Sequence, residues 1–161
     1  HFRLARVPEG EGPRVRALAQ IEERLDELTG NSVPGTEFPA EAAELLALGE
    51  GILEHWATAR GLEPTEERRE GFRLLALHRQ GTAGEPSFNA CRETCRELVY
   101  HYNLLTMDPQ HEDNPRRLRM MVLVANHLRL FVVGKMQVAG LGDFCCSSRP
   151  VRDEAARSEQ A

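Results

Sequence analysis

The chain has 161 residues, the length of one ordinary domain, and folding at that size buries about 68–70% of the unfolded surface without help from disulfides or metal. Apolar residues make up 41% and charged residues 28%, which excludes a disordered, collagen-like or disulfide-scaffold chain, and aromatics at 6% argue against a β-sandwich or barrel. The net charge of −5 disfavours nucleic acid as a partner, because phosphate neutralisation needs a basic face. Charge is unevenly spread, with five acids against one base in residues 31–60 and eight bases against five acids in residues 113–161.

Residues 1–12 read as a flexible N-terminal arm, polar and punctuated by Pro8, Gly10 and Gly12. Residues 13–146 read as one helical domain. Pro13 suits a first helical position, and Val15, Leu18, Ile21, Leu25 and Leu28 recur at helical spacing before Gly30 closes the segment. After a loop at residues 31–36, Pro39 opens a second helix, with Leu45, Leu48, Ile52, Trp56 and Ala59 on one side and Gly61 as its stop. Gly49 and Gly51 lie inside it, each at about 1 kcal/mol relative to Ala, and mark either a close helix crossing or a kink.

The spacing predicts a third helix over about residues 64–80, carrying Phe72, Leu75 and Leu77. A fourth, capped by Ser87 or Asn89, carries Phe88, Cys91, Cys95, Leu98, Tyr102 and Leu105 at alternating steps of three and four, the seam of a coiled coil. Pro115 starts a fifth, with Leu118, Met121, Val122, Ala125, Leu128, Val132 and Met136, ended by Gly140 and Gly142. Being apolar on more than one face, this helix (about 115–139) is placed at the centre of the bundle. Residues 147–161 read as a polar, frayed C-terminal tail. No segment alternates with a period of two, so the expected fold is all-α, a single bundle of about five helices.

Residues 1–6 do not resemble a secretory leader, and the apolar stretch at residues 120–134 is interrupted by Asn126, His127 and Arg129, so no membrane span and a cytoplasmic placement are expected. No phosphate-binding glycine loop or nucleophile elbow is present. The positions three before His55, His78, His101 and His127 are Ile52, Leu75, Leu98 and Val124, so no carboxylate-bridged di-iron pattern exists on these helices. Glu93, Glu97 and His101 share a face that reads as solvated. Asn126 and His127, in the most apolar helix, are expected to be buried and hydrogen-bonded, and are the candidates to line an internal ligand pocket.

Four cysteines remain. Cys91 and Cys95, one helical turn apart, would hold their Cβ atoms roughly 5–6 Å apart, beyond the roughly 3.5–4.5 Å of a disulfide. Core thiols are the simplest reading; a thiolate-bound metal or an iron–sulfur cluster would require Cys145 and Cys146 to fold back onto them, and thiol redox sensing is a separate alternative. The expected function is a non-catalytic helical protein–protein interaction module, an accessory, adaptor or regulatory subunit that binds another protein or itself and needs no cofactor. The alternatives are the cysteine-based metal or redox site and a small-ligand-binding bundle. Arg116, Arg117 and Arg119, unfavourable at a helix start, are expected to meet an acidic patch such as residues 41–54.

Overall fold

The computed structural model describes residues 16–30 and 37–141. Among them are five α-helices: α1 (Leu18–Gly30), α2 (Phe38–Ala59), α3 (Arg73–Gly81), α4 (Arg92–Met107) and α5 (Asn114–Ala139), with a 3₁₀ turn at Pro86–Cys91 leading into α4. The described residues are all-α, and their helices pack into one bundle around a continuous apolar core. The arm at residues 1–12, the start of the domain at Pro13 and Val15, the loop at residues 31–36, and the tail all lie outside the described residues.

Helix α2 touches all four other helices, and α5 touches α1, α2 and α4. This arrangement explains why α2 buries side chains around most of its circumference, from Ala42 and Leu45 to Leu53, Trp56 and Ala57. Pro39 occupies its first turn, where the missing N–H is no loss, and Gly61 turns the chain away at φ +79°. The α4 seam is inward as its spacing requires: Phe88, Cys91, Cys95, Leu98 and Leu105 are buried and Tyr102 packs against the core from its edge. Full burial of a side chain such as Leu98 is worth about 1.5–3 kcal/mol.

Gly49 and Gly51 are contact points of crossing helices. A Cβ on Gly49 would lie 2.6 Å from Leu98 Cδ2 and 3.2 Å from Leu74 Cδ1; one on Gly51 would lie 2.8 Å from Ile21 Cδ1. Helix α2 therefore runs unbroken through both glycines, with α4 and α3 against the first and α1 against the second.

Three sequence expectations change. The third helix starts at Arg73, and residues 62–72 are irregular, closed by a tight turn in which Arg69 and Phe72 exchange backbone hydrogen bonds of 3.0 and 2.9 Å. Glu70 (φ +54°) and Gly71 (φ +86°) form its corner. The polar run from Glu63 to Gly71 offers no apolar side chain to the core, so no packing holds it helical. The fourth helix is entered through the 3₁₀ turn, with Cys91 as N-cap and no side-chain cap from Ser87 or Asn89. Finally, three of the four acids of residues 41–54 take other partners: Glu44 binds Arg24, and Glu50 and Glu54 bind Arg73. Arg116 pairs with Asp113 and the Arg117 guanidinium donates to Asn114, so neither meets that patch.

Candidate functional site

The most unusual chemistry in the described residues lies where α3 and the start of α4 meet. Cys91 ends the 3₁₀ turn (φ −97°, ψ 13°) and Cys95 follows on the first turn of α4; both are free thiols and buried. The Cys91 thiol donates to the Phe88 carbonyl at 3.4 Å. A hydrogen bond from Cys95, together with the adjacent His78 imidazole, brings the Cys91 thiol down to about 6 against the opposing effect of burial. Cys95 is pushed up, since it holds its proton toward Cys91 and is itself buried. The two thiols are thus pushed in opposite directions, Cys91 down and Cys95 up.

His78 is the residue that sequence reading missed. It follows Leu74 and Leu75 at steps of four and three, and so falls on the core face of α3. Phe88 stacks against it at 5.8 Å between ring centroids. Its Nε2 is sealed from solvent and makes no hydrogen bond within normal limits. Two thiols and an imidazole could in principle serve a soft metal, but among the described residues no group of three or more His, Cys, Asp or Glu is arranged to hold one. Cys145 and Cys146, the other proposed ligands, lie outside the described residues.

Outward from His78 opens a cavity of about 400 Å³ lined by four arginines, Arg69, Arg79, Arg92 and Arg96. Arg69 comes from the tight turn, Arg79 from α3, and the other two from the first turns of α4. One wall is fixed by a two-pronged pair in which Arg96 donates to both Glu70 oxygens, at 2.9 and 3.2 Å.

Asn126 and His127 are not both buried and hydrogen-bonded as the sequence suggested. His127 is exposed, because it falls between Leu123 and Leu130 on the outer face of α5. Asn126 is half-buried, with its side-chain oxygen sealed and unpartnered. Glu93 and Glu97 are exposed as expected, and the Glu97 carbonyl lies 2.9 Å from His101 Nδ1.

That outer face of α5 is the second notable feature. Leu118, Met121, Val122, Ala125, Leu128, Val132 and Met136 point into the core, yet Met120, Leu123, Leu130 and Val138 are 46–77% exposed. Over 26 residues, α5 is long and apolar enough to cross a membrane by length and composition, and one side of it is packed in the bundle. Arg129 ties it to α1 through Asp26 at 2.9 Å, and Lys135 to Glu85 at 3.1 Å. No protein-family model matches the chain, and neither do curated proteins or solved structures.

Proposed function

We propose that this protein is a non-catalytic helical interaction module, an accessory or regulatory subunit, that docks a partner helix along the outer face of α5. The observation that carries this reading is the exposed apolar stripe Met120, Leu123, Leu130 and Val138. Its members recur at helical spacing over 18 residues, about 27 Å at 1.5 Å per residue, the footprint of one amphipathic helix laid alongside. Large apolar side chains gathered on one exposed face, rather than scattered, favour contact with another protein.

Charge narrows the partner. Residues 114–139 contain no acid, and Arg116 and Arg119 are exposed at the start of the stripe. Pairing α5 with α5 of a second copy would leave these arginines facing other arginines or an acid-free helix end. The fitting occupant is therefore a helix of a different protein, apolar along one side and acidic where it meets Arg116 and Arg119. Cytoplasmic placement belongs to the same proposal, and the free thiols of Cys91 and Cys95 accord with a reducing compartment.

The test compares wild type with Leu123→Glu/Leu130→Glu as affinity baits, followed by direct affinity measurement for whatever distinguishes them. A partner that binds wild type, weakens at least tenfold to the double variant and weakens again with Arg119→Glu supports the reading. Identical retention by both baits, or a wild-type homodimer by light scattering that the double variant abolishes, overturns the choice of partner.

A second reading is a thiol-based redox response, favoured by His78 beside Cys91. A peroxide would oxidise the Cys91 thiolate to a sulfenic acid, its sulfur taking one peroxide oxygen as the O–O bond breaks and the other oxygen leaving as water after protonation. Loss of one titratable thiol per chain on peroxide treatment, abolished in Cys91→Ser, supports it; full retention of both thiols removes it.

A further inference from the structure

We infer that the arginine-lined cavity beside His78 is a binding site for a small phosphorylated metabolite, a function separate from docking on α5. The chain as a whole carries a net charge of −5, yet this cavity gathers Arg69, Arg79, Arg92 and Arg96 against a single lining acid, Glu70. A concave wall of one sign concentrates the field and raises the local concentration of anions. Planar guanidinium groups match phosphate oxygens in pairs, which lysines do not.

The four arginines are not equivalent. Arg96 is held by both oxygens of Glu70, and Arg92 lies 2.8 Å from Glu93 at the rim. Arg69 and Arg79 have no carboxylate partner among the described residues, so their donors are free for a ligand. His78 lines the same cavity and is 6% exposed, so its ring closes the inner wall beside the arginines.

The volume of about 400 Å³ falls within the range of small-molecule sites and is too confined for a duplex or a folded partner. Arg69 and Arg79 are the phosphate-binding pair, and the body of the ligand extends toward His78. No covalent step is involved.

Calorimetry of the full chain with inorganic phosphate, pyrophosphate and a sugar phosphate tests the site, with malonate and sodium chloride at matched ionic strength as comparison anions. We expect the sugar phosphate and pyrophosphate to bind, and Arg79→Gln and Arg69→Gln each to weaken that binding by about 10- to 100-fold, the range for one charge-assisted contact. Glu70→Gln removes the only lining acid and releases Arg96, and is expected to tighten binding. Should Arg69→Gln disturb the turn that carries it, Arg79→Gln on α3 decides the question, with far-UV circular dichroism confirming its fold. Absence of heat and of thermal stabilisation with every phosphate at millimolar concentration overturns the inference. So does binding that sodium chloride reproduces, that both arginine variants leave unchanged, or that a phosphoserine peptide or an oligonucleotide exceeds.

Discussion

Trp56 and Phe88 lie face to face, with ring centroids 4.7 Å apart and planes only 2° from parallel. The stack joins α2 to the turn before α4, and Gly81 closes it from the side. Trp56 Nε1 donates to the Gly81 carbonyl at 3.0 Å, and Arg60 donates to the same oxygen at 3.0 Å. Phe88 in turn stacks on His78 and meets Phe131 of α5 at 5.8 Å, so one ring links α2, α3 and α5.

Gly81→Ala is therefore expected to destabilise by about 1–3 kcal/mol, the range for overpacking. Its Cβ would sit 2.7 and 2.9 Å from Phe88 and 2.9 Å from Trp56, and neither stacked ring can withdraw without opening the core. Urea denaturation measures this, and an unchanged midpoint would contradict the packing.

Gly49→Ala is expected to destabilise more than Gly51→Ala, although alanine gains up to about 1 kcal/mol in either helical position. At Gly49 the new methyl meets Leu98 and Leu74 together, both fully buried, whereas at Gly51 it meets only the far end of Ile21. The paired denaturation curves should separate in that order.

Leu98→Ala and Leu128→Ala should each lower stability by about 2–5 kcal/mol, as truncation of fully buried leucines does. Leu123→Ala, five residues before Leu128 but exposed, should stay within about 0.5 kcal/mol. Equal losses at Leu123 and Leu128 would mean the two faces of α5 are misassigned.

The acid limb of stability depends on two carboxylates with opposite signs. Arg24 donates to both Glu44 oxygens, at 2.7 and 3.1 Å, and holds that carboxyl below its ordinary 4.5. Its contribution is complete above pH 4.5 and is lost as pH falls through the lower folded value, so Glu44→Gln should flatten stability loss below pH 4.5. Burial pushes Glu50 up, and Arg73 at 3.7 Å only partly opposes this. Its contribution is complete below 4.5 and is lost as pH rises through the higher folded value. Glu50→Gln should accordingly equal or exceed wild type in stability at pH 7, with the difference closing on acidification. Thermal melts across that pH range test both signs.

Native protein should react slowly with a thiol reagent at Cys91 and Cys95 despite the lowered Cys91 value, because both sulfurs lie within the core and the reagent must wait for opening. Phe88→Ala empties a fully buried position next to Cys91, whose thiol donates to the Phe88 carbonyl, and Cys91 should then label before Cys95. Peptide mapping by mass spectrometry reads the order, and simultaneous labelling would show that the two thiols do not differ in ionisation.

Local periodicity carried the number of helices and most of their ends. The 3- and 4-residue spacing of Phe88, Cys91, Cys95, Leu98 and Leu105 marks an inward seam in any globular context, and Pro39, Pro115 and Gly140 punctuate helices through their own backbone restrictions. Other features depended on what lies across the interface. Gly49 reads equally as a kink or a crossing until Leu98 is seen against it. His78 and His127 both sit among apolar neighbours in sequence, yet α3 turns the first toward Phe88 and α5 turns the second to solvent. Because α5 is apolar nearly all round, its pattern cannot say which side the core takes, and only its packing on α2, α4 and α1 leaves Leu123 and Leu130 outside. The arginine cavity was equally hidden, since it gathers side chains from a turn and two helices, and sequence spacing records neighbours along one element but not those brought together from three.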